Sequence, residues 1–184
     1  MTVLEPDLDG LGIGPDTVET LLRVDAAEWS REATDQATFL AQFGDRMPEG
    51  SFGIMTKDGP GSLSAADLFN GKTVVLFAVP GAFTPTCSMN HLPGYLKHAA
   101  EIRAKGVDTI ACMAVNDSFV MDAWGRDKQV GDRVLMLADG NAAYTRALGL
   151  ELDASGFGMG QRSQRFAIVV KNGVVAQLHV EAPR

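Results

Sequence analysis

The chain has 184 residues, 46% hydrophobic and 21% charged, values of a globular domain and not of a disordered one. Sixteen Lys and Arg against twenty-three Asp and Glu give a formal charge of −7, which repels phosphate backbones and argues against nucleic acid or an anionic membrane as partner. Residues 1–10 are too acidic for a signal peptide, and two cysteines and three separated histidines leave little material for a disulfide framework or a metal site.

No apolar run approaches the roughly 20 residues of a membrane span. With so few cysteines, the composition fits a reducing compartment, and the cytoplasm is the expected location. No cofactor is expected.

Residues 1–42 read as a helical appendage and 43–184 as the main domain. Pro15-Asp16 opens a helical stretch in which Glu19 completes a capping-box pattern, and Val18, Leu21, Leu22, Ala26 and Trp29 follow at roughly helical spacing. A turn-rich lead-in over residues 43–50 precedes the alternating part of the chain. Residues 64–69 read as a short capped helix closed by Gly71. Residues 73–79 are apolar on both faces, as a strand inside a covered sheet must be. A helix over 86–104 carries Leu92, Leu96, Ala99 and Ile102 on one stripe, with a kink expected at Pro93. Residues 107–115 make a second buried strand, and Asn116-Asp117 caps a helix through Trp124. A strand at 134–138 and a short helix at 141–148 come next. Two β-rich runs, 165–170 and 174–180, flank Asn172-Gly173, the strongest short hairpin signal. Strand–helix alternation ending in a hairpin implies an α/β sandwich with a mixed sheet.

The chemistry concentrates in Val79-Pro-Gly-Ala-Phe-Thr-Pro-Thr-Cys-Ser-Met-Asn-His-Leu-Pro93. This segment leaves the C-terminal end of a buried strand, where open α/β sheets place their ligands. Pro80, Gly81 and Pro85 stiffen the loop, and the next helix starts beside Cys87. A sulfur there faces unpaired N–H groups and the positive end of the helix dipole, which favour thiolate over thiol. A free thiol titrates near ~8.5, and the helix end supplies roughly 0.3–1 kcal/mol against about 1.36 kcal/mol per pKa unit. Ionisation with margin at neutral pH therefore requires an Arg or Lys within about 4–6 Å. Thr84 offers a hydroxyl to the thiolate. Taken on residues alone, Cys87 also fits a small core hydrophobe, Thr84 a turn residue and Thr86 an N-cap.

Pro80-Gly-Ala-Phe-Thr-Pro-Thr-Cys87, with Ser88 and His91-Leu-Pro-Gly94, resembles the active-site loop of the peroxiredoxin-5 group, the type II atypical peroxiredoxins. The likeness continues through Val115-Asn-Asp-Ser-Phe-Val-Met121, Trp124, Leu137-Ala-Asp-Gly140, Arg165-Phe166 and Asn172-Gly-Val174, and covers about residues 43–182. It implies a thioredoxin-like three-layer sandwich with a central mixed sheet, and thiol-dependent reduction of hydrogen peroxide and organic (alkyl) hydroperoxides. Under it Cys87 is the peroxidatic cysteine, Thr84 bonds sulfur and peroxide, and Pro80 shields the pocket. Arg165 is then the required cation, with Arg162 its nearest rival in sequence. The Cys87 amide helps to bind the peroxide oxygens, and the sulfenic acid that forms needs a second thiol. A homodimer is implied by the resemblance alone.

Cys112 lies in an apolar run and reads either as a buried core residue or as the resolving cysteine. An external thiol, glutathione with glutaredoxin or thioredoxin, is the favoured reductant. No Cys-x-x-Cys pair is present, which disfavours a thiol–disulfide oxidoreductase. A redox sensor or binding module that uses Cys87 without turnover is the other alternative. His91 reads as a pocket-lining or capping residue and not as a base, and Gly156-Phe-Gly-Met-Gly160 as a flexible turn ahead of Arg165. Members of the resembled group continue past the final strand into a C-terminal tail. Here the segment from Leu4 to Leu22 resembles that tail at the opposite end, which fits a relocated tail or an unrelated helical extension.

Overall fold

A seven-stranded mixed sheet forms the centre of the computed structural model, which describes residues 46–181. The helical extension read over residues 1–42 lies outside the described residues. The elements are β1 (Ser51–Thr56), β2 (Gly59–Ser64), α1 (Ala65–Phe69), β3 (Thr73–Ala78), a π-helical turn (Cys87–His91), α2 (Leu92–Ala104), β4 (Thr109–Ala114), α3 (Ser118–Asp127), β5 (Leu135–Ala138), α4 (Ala143–Leu148), β6 (Glu151–Asp153), a 3-10 turn (Ser155–Phe157), β7 (Gln161–Ser163), β8 (Phe166–Lys171) and β9 (Val174–Val180). The sheet order is β2-β1-β5-β4-β3-β8-β9, while β6 and β7 pair by themselves. Strands β3, β4 and β5 run parallel, and β8 lies antiparallel on β3.

Two apolar layers cover the sheet, and the two-residue alternation of the strands divides side chains between them. Val74, Leu76 and Ala78 of β3, Ala111 and Met113 of β4, and Phe166, Ile168 and Val170 of β8 pack with α1 and α4. Phe77, Val79, Ile110, Cys112 and Ala114 pack on the other face with Cys87, with Leu92 and Ala99 of α2, and with Met121 and Trp124 of α3. The result is the expected three-layer sandwich. Ser64 caps α1 by accepting from the Asp67 N–H, and Asp117 caps α3 by accepting from the Val120 N–H. The Asn172-Gly173 turn closes the β8–β9 hairpin with positive φ at both residues, as its residue types demand.

Three details differ from the sequence reading. Strands β1 and β2 form a hairpin where low β-propensity (Gly59-Pro-Gly-Ser62) gave no strand signal. Residues 151–163 form a small hairpin of their own, and the 3-10 turn sits at its tip. Pro93 does not kink a continuous α-helix. It sits in the first turn of α2, immediately after the π-helical turn in which the Leu92 N–H bonds to the Cys87 carbonyl. Pro has no N–H to continue the i→i−4 ladder, and one wider turn absorbs the break.

Candidate active site

Helical backbone begins at Pro85, whose fixed φ suits a first helical position. The first turn bond runs from the Ser88 N–H to the Thr84 carbonyl (3.0 Å). Cys87 therefore occupies the first turn, where backbone N–H groups and the dipole favour negative charge. Its side chain is buried (1% exposed). Thr86 is itself helical and makes no side-chain cap.

The loop ahead of Cys87 is tied down from two directions. Asn116 Oδ1 accepts from the Ala82 N–H (2.9 Å), and the Thr84 hydroxyl donates to the Gly81 carbonyl (2.9 Å). Thr84 Oγ1 is thus engaged within the loop, with lone-pair capacity left to accept a further proton. Pro80 lies half-buried at the bend where β3 ends. Behind Cys87, the fully buried Trp124 indole donates to Ser88 Oγ (3.0 Å).

Arg165 supplies the cation. Its Nη1 donates to Cys87 Sγ at 3.4 Å. Strand alternation explains the choice: Phe166, Ile168 and Val170 face the α1/α4 layer, so the residue just before Phe166 faces the layer that holds Cys87. Arg162 is spent elsewhere, donating to the Val115 carbonyl (2.7 Å) and the Met159 carbonyl (2.9 Å). Burial would lower the Arg165 pKa, but the bonds and charges of Cys87 and Glu181 outweigh it and raise the value.

Arg165 has two further neighbours: His91, which the sequence gives only as a pocket-lining or capping residue, and Glu181, which sequence reasoning missed. His91 Nδ1 accepts from Arg165 Nη1, and Glu181 Oε2 accepts from Arg165 Nε at 2.6 Å. The His91 pKa is lowered by burial first and by the Arg165 charge second, with Glu181 opposing. The i, i+4 spacing from Cys87 to His91 was the available signal for the histidine. For Glu181 the signal was its register across the final hairpin.

Cys112 lies in mid-strand, between Phe77 of β3 and Met136 of β5. It is fully buried and not disulfide-bonded. Burial, then the neighbouring Cys87, pushes its thiol well above the usual range, so it stays protonated. Among the described residues no cluster of His, Cys, Asp and Glu could hold a metal ion, and no helix is long and apolar enough to cross a membrane.

A buried thiol at a helix start, faced by a strand arginine across one layer of a thioredoxin-like sandwich, defines the thiol-chemistry class of that fold. The chain belongs to the Redoxin family, which matches residues 42–184, and within it to the type II peroxiredoxin group. It is 44% identical over 153 residues to chloroplastic Peroxiredoxin-2E of Arabidopsis thaliana, covering 81% of this chain and 65% of that protein. It is 50% identical over 143 residues to chloroplastic Peroxiredoxin-2E-2 of Oryza sativa, covering 75% of this chain and 64% of that protein. The chain thus spans just under two thirds of the length of these two relatives. Among solved structures, reduced Prx3 of Vibrio vulnificus in complex with hydrogen peroxide superposes with a TM-score of 0.74 at 55% identity, covering 77% of this chain and 88% of that one. Peroxiredoxin 5 of Alvinella pompejana gives 0.68 at 37% identity, covering 74% and 87%.

Proposed function

We propose that the protein is a thiol peroxidase that reduces hydrogen peroxide and alkyl hydroperoxides through Cys87. The observation that carries this reading is the 3.4 Å contact from Arg165 Nη1 to Cys87 Sγ in a buried first helical turn. The Cys87 thiolate attacks one peroxide oxygen in line. A sulfur–oxygen bond forms as the O–O bond breaks, and the leaving oxygen takes a proton to depart as water or an alcohol. Arg165 and the Cys87 amide stabilise charge on the separating oxygens. Thr84 turns its hydroxyl toward the peroxide as substrate displaces the bond to Gly81, and Pro80 walls the pocket. The product is Cys87 sulfenic acid.

A first external thiol, from glutathione with glutaredoxin or from thioredoxin, condenses with the sulfenic acid to a mixed disulfide and water, and a second thiol of that reductant then frees the Cys87 thiol and leaves the reductant as a disulfide. The depth and raised pKa of Cys112 support this over an internal resolving cysteine. The working compartment is reducing, and we read it as the cytoplasm. The exposed apolar side chains Phe83 (51%) and Met89 (67%), on either side of Cys87 in sequence, suit an alkyl chain or a second subunit of a homodimer.

Stopped-flow oxidation by hydrogen peroxide tests the reading. Wild-type protein is expected to oxidise rapidly with one equivalent and the Cys87→Ser variant not at all. Oxidation on the timescale of an ordinary free thiol, without turnover in the presence of either reductant, favours the redox-sensor reading instead.

A further inference from the structure

Arg165 and Glu181 face each other by register. Phe166 pairs with Val180 in the β8–β9 ladder, and the Glu181 N–H donates to the Arg165 carbonyl (2.8 Å), which adds one rung beyond the strand ends. Opposed residues of an antiparallel pair share a face. Phe166 and Val180 pack toward the α1/α4 layer, so Arg165 and Glu181 both turn toward Cys87. His91 approaches the same guanidinium from the π-helical turn, one turn beyond Cys87.

We propose that Glu181 and His91 are positioning residues for Arg165, the carboxylate holding Nε and the neutral imidazole accepting from Nη1, so that the guanidinium stays on the Cys87 sulfur. This rests on the reading of Arg165 as the group that stabilises the reacting sulfur.

The chemistry of the fork supports the assignment. Arginine is long and rotamer-rich, and a single bond to sulfur fixes only one end of it. The Nε–H points away from the terminal nitrogens, so a carboxylate there sets the guanidinium plane while Nη1 divides its two protons between Sγ and the imidazole. Arg165 is only 14% exposed, so these bonds lie in a partly desolvated site where charge-assisted contacts are strong. The imidazole serves only when neutral, because a protonated Nδ1 presents a hydrogen and a like charge to the guanidinium. The charged groups facing His91 are Arg165 at the start of β8 and Glu181 at the end of β9. Burial and Arg165 together outweigh Glu181 and keep the ring neutral below the ordinary histidine range.

Full-length protein with labelled arginine side chains gives a readout that needs no peroxide. The Arg165 Nε–H is expected to exchange slowly in the wild type and at the solvent rate in Glu181→Ala. In the same variant, Cys87 oxidation by hydrogen peroxide is expected to slow about tenfold, the loss of one charge-assisted hydrogen bond expressed as rate. Glu181→Gln keeps an acceptor and should recover most of both signals. In the wild type the Arg165 resonance should move on acidification below the ordinary histidine range, and in His91→Asn that movement should vanish. Unchanged exchange or an unchanged oxidation rate in Glu181→Ala overturns the proposal, as does an acid-side movement that persists in His91→Asn. A wild type that fails to react with peroxide sinks the peroxidase reading instead, while the exchange data still decide whether Glu181 and His91 hold the arginine.

Discussion

The indole of Trp124 reaches across from α3 to donate to Ser88 Oγ at 3.0 Å, so a core side chain is bonded to the residue next to Cys87. Trp124 is fully buried, and a buried indole N–H left without a partner costs about 1–3 kcal/mol. Ser88→Ala removes the acceptor and is expected to lower unfolding stability by about that amount, measured by urea denaturation. Ser88→Thr keeps the oxygen and should lose less. Equal stability of wild type and Ser88→Ala would show that the bond adds nothing.

Replacement of Arg165 separates charge from geometry. Arg165→Ala removes a bond worth about 1.5–3 kcal/mol when one partner is charged, a slowing of roughly 10- to 100-fold in Cys87 oxidation. Arg165→Lys keeps the charge but cannot serve Sγ, His91 and Glu181 together, since its ammonium is a point donor without a fork. Lys is therefore expected to recover only a minor part of the rate. Stopped-flow oxidation compares the three proteins, and full recovery by Lys would make the fork geometry irrelevant.

The strands β3, β4, β5, β8 and β9, the caps at Ser64 and Asp117 and the hairpin at Asn172-Gly173 are legible in the sequence because each is a local pattern: an apolar run, a short polar cap, a two-residue turn. The position of Cys87 at a helix start was legible from Pro85 and the preceding strand. Arg165 follows from the need for a cation beside the thiolate and from the resemblance, and strand alternation gives the physical reason for its place. What stayed hidden depends on register and on the path of the backbone. The π turn follows from Pro93 needing a place in the first turn of α2, which composition does not display. Glu181 faces Arg165 only because the final hairpin pairs Phe166 with Val180. The β1–β2 hairpin is held by its neighbours despite its glycines, a case of tertiary context overriding propensity.

Cys112 distinguishes an external from an internal route for reducing oxidised Cys87. Its thiol is fully buried in the middle of β4 and held protonated, so it is a poor nucleophile without local opening. Cys112→Ala is expected to keep the Cys87 oxidation rate and to keep peroxide turnover with glutathione and glutaredoxin, followed by NADPH consumption in a coupled assay. Loss of turnover with normal oxidation would assign Cys112 as the resolving thiol. Cys112→Ser should turn over as well but unfold more readily, because a hydroxyl in this apolar strand costs about 1–3 kcal/mol unless it finds a partner.

The depressed His91 pKa carries a pH dependence of stability whose sign is fixed. Burial and Arg165 disfavour the imidazolium in the folded protein, whereas the unfolded chain binds its proton near the ordinary value of about 6.5. As pH falls below that value the unfolded state takes up the proton first, so unfolding is favoured progressively until pH passes the folded-state pKa. The contribution of His91 is therefore fully present above the ordinary histidine range and is lost on acidification below it. His91→Asn cannot titrate, and its unfolding free energy should lack this acid-side decline while it retains the share due to carboxylates. Urea melts of both proteins across that window measure the difference, and parallel curves would mean that the Arg165 contact places no charge constraint on His91.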